Sequence, residues 1–341
     1  MWTPIQLVTL SAMPKHPDPA LQAVRDLIRE NARRQGRVFR RQDLVAWGLP
    51  GDTVVPMLRR NWWVRLHHGV YADARDVEVD PTSPERHLLD VAASIRALAE
   101  PAYAFGASAA LVCGLPRQWG PIGPVHLIRG LGLEGRSLSR RVTARDRLAP
   151  ARLRTHALDP SDVTVINGIP TVVPALAAVS TAVECTSDWA VAILDAAAWQ
   201  QPALIDDMRR YADELQHLAG IGVVRSVIDL VRSGAQTPLE SHSRLRLMRC
   251  GLSEPQLQVP YHDDDGLIGY VDMDFDELGV IGEADGILKY RTGADLIAEK
   301  HREDRLRLQR PVVRWGWDRI WSAPELVARD LRRASTWRRA S

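Results

Sequence analysis

Two segments, 267–275 and 280–287, alternate apolar and polar side chains, and this pattern constrains the fold more than any other feature of the chain. Period-two alternation is the mark of strands with one buried face. A turn centred on Glu277-Leu278 pairs Phe275 with Val280, Met273 with Gly282 and Val271 with Ala284, all on one apolar face. The other face carries Asp272 opposite Glu283, extended by Asp274 and Asp285. A slip of one residue would bury the acids, so the register is well specified. Cross-strand neighbours stand about 5 Å apart at Cβ, so these carboxylates repel one another unless a cation intervenes. Mg²⁺, a hard ion with oxygen ligands, meets that need and can activate water. The alternative is an acidic, solvated sheet face.

Charge is distributed to match. The net charge of the 341 residues is only +2, yet residues 250–288 contain no Lys or Arg, and nine carboxylates fall between Asp263 and Asp285. Residues 25–71 carry ten Arg against four acids, and residues 289–341 carry fourteen basic against seven acidic residues. Two basic zones therefore flank an acidic one. Lys15, Lys289 and Lys300 are the only lysines. Two of the three flank the acidic segment, where a compact ammonium could meet a phosphate.

The first basic zone reads as three short helices and a hairpin. Helices are expected over 18–34, 40–47 and 52–60, punctuated by Gly36, Gly48 and Pro50. Strands follow over 62–66 and 69–71 around His67-His68. That order predicts a winged helix-turn-helix, in which the third helix enters the major groove and the hairpin touches the phosphate backbone. Arg40, Arg41, Arg59, Arg60 and Arg65 are the candidate DNA-binding residues. The third helix offers Val54, Val55 and Pro56, and few groups able to read base edges.

At about 150 residues per domain, the length predicts two or three domains. Residues 1–17 are expected to be disordered, with Met13 an alternative start. A winged helix over 18–80 is followed by a Pro81-Thr82-Ser83-Pro84 linker and an α-rich middle domain over 85–232. His126 and His156, in the middle domain, read as structural. Three cysteines, far apart and odd in number, form neither a disulfide framework nor a metal site, which fits a reducing cytoplasm. No apolar run reaches the roughly 20 residues of a membrane span. Over 236–335 the expected order is helix, three strands, helix, strand, helix, that of a restriction-endonuclease-like core. Thr237 caps its first helix and Glu240 completes a capping box. The fold class is thus multidomain, mixed α+β and α/β.

Three resemblances follow from these residues. The stretch Gly36 to Ala72 resembles the winged-helix domain of AbiEi-type antitoxins of type IV toxin–antitoxin systems. Gly106-Ala107-Ser108-Ala109-Ala110 and Gly114-Leu115-Pro116 are similar to the second domain of that family. Residues 237–333 resemble the very-short-patch-repair-like branch of the PD-(D/E)xK nucleases, through Thr237-Pro238-Leu239-Glu240-Ser241, Val271-Asp272, Gly282-Glu283-Ala284-Asp285-Gly286 and Glu299-Lys300-His301-Arg302-Glu303-Asp304-Arg305. The resemblance implies Glu240, Asp272 and Glu283 as carboxylate ligands of Mg²⁺. The usual lysine position holds Asp285, so Lys289 or Lys300 would have to replace it. Three functions follow: an antitoxin or autorepressor that binds DNA without cutting, an active Mg²⁺-dependent DNA endonuclease, or an interaction protein masking a nucleotidyltransferase-type toxin.

Overall fold

The computed structural model describes residues 19–130, 151–285 and 293–338. The stretch 1–17 and Lys289 lie outside the described residues. The described residues form three sheets, each with its own helices.

The first unit comprises α1 (Pro19–Arg33), β1 (Val38–Arg40), α2 (Arg41–Ala46), a 3₁₀ turn (Gly51–Thr53), α3 (Val54–Arg59), β2 (Trp63–His67), β3 (Val70–Asp73) and α4 (Ala74–Val77). Its sheet has the order β1-β3-β2, with β3 antiparallel to both neighbours. This is the helix–strand–helix–helix–hairpin order of a winged helix-turn-helix. Ile28, Phe39, Leu44, Met57 and Trp63 form its core, with Phe39 edge-on to Trp63 at 4.8 Å. Such edge-to-face aromatic pairs add about 0.5–1.5 kcal/mol beyond burial.

The middle unit runs through α5 (Pro84–Ala97), β4 (Tyr103–Ala104), α6 (Gly106–Val112), β5 (Val125–Arg129), β6 (Ala151–Thr155), β7 (Val163–Ile166) and β8 (Ile169–Val172). Helices α7 (Pro174–Ala182), α8 (Ser187–Gln200), α9 (Leu204–Glu214) and α10 (Ile221–Val227) complete it. The expected α-rich domain therefore also contains a five-stranded sheet, β6-β5-β4-β8-β7. The large apolar core joins this unit to its neighbours, because Val38 and Leu66 enter it from the winged helix and Leu245 from the C-terminal unit. The expected linker at 81–84 is an ordered turn. Thr82 N–H donates to Asp80 at 2.8 Å, and Ser83 caps α5, which packs on β1, β2 and β3.

The C-terminal unit comprises α11 (Pro238–Arg249), β9 (Gln256–Asp263), β10 (Gly266–Phe275), β11 (Val280–Ala284), α12 (Gly293–Gln309), β12 (Val312–Trp315), α13 (Trp317–Ser322) and α14 (Pro324–Arg338). Its sheet order is β12-β11-β10-β9. β9, β10 and β11 form an antiparallel meander, and α12 carries the chain across to β12, parallel to β11. Met273 pairs with Gly282 and Phe275 with Val280, the register expected from the alternation. Met273, Phe275 and Val280 pack with Trp315 against α11 and α14. Val271 departs from that expectation, joining Tyr261, Ile268, Ile281 and Leu306 of α12 instead.

Candidate functional site

The acids singled out by the sequence divide into a cluster and an outlier. Glu240 stands at the start of α11, Asp272 on β10, and Glu283 and Asp285 at the end of β11. Glu240 is 4% exposed and Glu283 is 5% exposed. Burial, and next the charge of Asp272, push both Glu240 and Glu283 up to about 7. Burial also raises Asp272 and Asp285. Asp274 is held apart: Tyr261 Oη donates to it at 2.8 Å and Arg310 at 2.6 Å.

Each clustered acid is already engaged by the chain. Glu240 accepts from Gln236 N–H at 2.9 Å, Thr237 Oγ1 at 2.8 Å and Gln258 Nε2 at 3.3 Å. Asp272 accepts the Ala284 N–H at 2.8 Å. Arg302 donates to Glu283 at 3.2 Å and to Glu299 at 3.1 Å. Arg314 lies 3.0 Å from Asp285 and donates to Glu299 and Glu303, both at 2.7 Å. Among the described residues, no three His, Cys, Asp or Glu side chains are grouped so as to hold a metal ion. Lys300 is exposed on α12, and the cations that reach Glu283 are Arg302 and Arg314. Sequence reading missed both arginines. It also missed Gln258, a non-glycine residue in the left-handed region at φ 51°, lying across the strand pair from Asp272.

The second candidate surface is the winged helix. Arg41, Arg59 and Arg65 are exposed, and among the described residues none has a hydrogen-bond or ion-pair partner. Other arginines of this unit are ion-paired: Arg25 with Asp73, Arg29 with Asp76, Arg75 with Asp26. Arg40 and Arg60 depart from the expectation of free DNA-facing arginines. Arg40 donates to the Leu98 carbonyl at 3.2 Å, and Arg60 stacks 5.5 Å from the Trp62 ring centre. Arg34 and Arg37 are further exposed arginines without partners among the described residues, and sequence reading passed over them. No described helix is long and apolar enough to cross a membrane.

Residues 26–72, which cover most of the winged helix-turn-helix, match the family model described as "Transcriptional regulator, AbiEi antitoxin". This part of the chain is thus similar to that family. The chain is also similar to two uncharacterized proteins of Mycobacterium tuberculosis, MT2308 of strain CDC 1551 and Rv2248 of strain H37Rv. Each is 26% identical over 160 residues, 47% of this chain and 55% of theirs. The chain spans about half the length of these curated relatives.

Proposed function

We propose that the protein is a DNA-binding regulator of the antitoxin kind. Its winged helix would dock on duplex DNA, and its partner would be a nucleotidyltransferase-type toxin whose operon it represses. One observation carries this reading: exposed Arg41, Arg59 and Arg65 on the helix-turn-helix and wing lack carboxylate partners, whereas Arg25, Arg29 and Arg75 of the same unit are ion-paired. An unpaired guanidinium can take up a phosphate without first breaking an ion pair.

The C-terminal unit, in our reading, is a nuclease-like module that binds rather than cuts. Its order of one helix, three strands, a crossover helix and a parallel strand is the one expected for a PD-(D/E)xK core. The donor set does not fit Mg²⁺ as arranged. Glu240, Asp272 and Glu283 already accept hydrogen bonds from protein donors, no three such side chains among the described residues are grouped to hold a metal ion, and Lys300 is exposed. A cutting enzyme is the second reading. The acid excess supports it, because five carboxylates (Asp272, Glu283, Asp285, Glu299, Glu303) gather round Arg302 and Arg314, with Glu240 beside Asp272.

Fluorescence anisotropy on labelled duplexes tests the first reading, with supercoiled plasmid and Mg²⁺ as a second arm. Affinity should fall steeply with salt. Arg41→Ala, Arg59→Ala and Arg65→Ala together should weaken binding to all sequences and flatten the salt slope by about 0.9 for each phosphate no longer neutralised. Unchanged affinity in the triple variant defeats the DNA reading. Nicking that Glu283→Gln abolishes replaces the binding module with an enzyme.

A further inference from the structure

The helix-turn-helix carries a feature that arginines alone do not explain. Among the described residues only three valines are strongly exposed, and two of them, Val45 at 61% and Val55 at 44%, lie on α2 and α3. Each stands one helical turn from an unpaired arginine. Arg41 and Val45 are four apart on α2, and Val55 and Arg59 are four apart on α3, so each pair shares a helix face. The turn between the helices rests on the first pair. A Cβ built on Gly51, at the start of the turn leading into α3, would lie 3.1 Å from Arg41 Cγ and 3.7 Å from Val45 Cγ2. Each of the two helices therefore presents one branched apolar side chain beside one cation, with one exposed carboxylate, Asp52, in the turn between them.

We propose that Val55, assisted by Val45, reads C5-methyl groups in the DNA major groove, with Arg41 and Arg59 anchoring the flanking backbone. The inference rests on the DNA reading above and adds to it a determinant of sequence preference. The chemistry on offer is restricted. Neither valine can donate or accept a hydrogen bond, so neither can distinguish bases by the groove's polar pattern. What an exposed branched alkyl group can recognise in that groove is the thymine methyl, the one apolar group a standard base pair presents there. Burying it removes water from both partners, and the free cations on either side hold the helices close enough for contact. A protein partner on this face would leave Arg41 and Arg59 needing carboxylates of its own. DNA supplies phosphates for the cations and methyls for the valines. Methylated cytosine presents the same group at the same ring position, so the two sources share one recognition chemistry.

The test uses the full chain and a duplex pool that it enriches from a random library. The pool is prepared with thymidine, with deoxyuridine in its place, and with 5-methyldeoxycytidine in place of deoxycytidine. Removing the thymine methyls should weaken binding about fourfold per methyl engaged, at unchanged salt slope. Val55→Ala, a change at an exposed helical site that the fold tolerates, should bind the thymidine pool more weakly and no longer distinguish it from the deoxyuridine pool. A gain confined to the 5-methyldeoxycytidine pool supports the same methyl recognition with methylcytosine as its source. Equal affinity of the wild type for all three pools overturns the proposal and leaves the DNA reading standing. Failure to enrich any pool overturns both.

Discussion

The buried carboxyls of Glu240 and Glu283 make a prediction about pH. Both are pushed up to about 7 from an ordinary glutamate value, so the folded chain holds protons that the unfolded chain has already lost. Stability from these groups is therefore highest below the unfolded value and declines as pH rises towards and through 7. His87 and His242, pushed down to about 4 by burial, act with the opposite sign, because the unfolded chain binds their protons first. The opposing effects overlap between pH 4.5 and 6.5 and separate above, where the histidines are neutral in both states. Glu283→Gln should therefore stabilise the protein at pH 8 relative to its effect at pH 5, by about 1–3 kcal/mol. Thermal melts of both proteins at the two pH values measure this, and identical differences at both would exclude a raised carboxyl. The sequence drew attention to Lys289 and Lys300 because lysine is rare in this chain. The partners of the acids turned out to be Arg302 and Arg314, unremarkable members of a chain rich in arginine. Their selection depends on the phase of α12 and the register of β12, which no residue type announces.

At the scale of elements, legibility followed length and periodicity. The register of the β10–β11 hairpin around its turn, Met273 with Gly282 and Phe275 with Val280, was legible because its two faces differ so sharply in polarity, although Val271 and Asp274 depart from the faces expected for them. Short strands were not: β1 has three residues and β4 two, too few to display a period. β6, Ala-Arg-Leu-Arg-Thr, is largely exposed and has a single β-branched residue, Thr155. β8 was missed although Asn167-Gly168, both at positive φ, announces a tight hairpin turn between β7 and β8. That turn does more than reverse the chain. A Cβ on Gly168 would stand 2.1 Å from the Arg34 carbonyl oxygen, at the end of α1, so the hairpin tip rests against the winged helix. The obstructing atoms are backbone, and no side chain can move aside to make room. Gly168→Ala should cost at least about 1 kcal/mol and loosen the winged helix from the middle unit. Denaturant melts, with proteolysis rates in the Arg33–Arg37 segment, would detect both effects. Unaltered rates would mean that the tip is free to retreat.

The middle and C-terminal units are joined through α11, which packs into both. Its first turn brings Glu240 to the acidic cluster, while Leu245 enters the middle core and Arg244 crosses to α8. Arg244 and Asp195 are fully buried, 3.1 Å apart, and Arg244 also donates to Glu254 at 2.8 Å and to the Leu230 carbonyl at 2.7 Å. Beside them an aromatic cluster spans the same seam, with Trp119 edge-on to Trp317 at 4.6 Å and Trp189 edge-on to His242 at 4.9 Å. A buried pair of this kind contributes little over an apolar pair of equal volume, but losing one partner strands the other charge in the core. Burial already raises Asp195, and Arg244 is the largest influence opposing it. Arg244→Met should therefore lower stability by about 3–5 kcal/mol. Adding Asp195→Asn removes the stranded charge and keeps an acceptor for the Arg232 N–H, now bound at 2.7 Å. The double variant should then be more stable than Arg244→Met alone. Because the seam belongs to both units, the loss should appear as one shared transition reported both by the tryptophans of the cluster and by far-ultraviolet dichroism. Two separate transitions in the wild type, or a double variant no better than the single, would mean that the middle and C-terminal units fold independently of this pair.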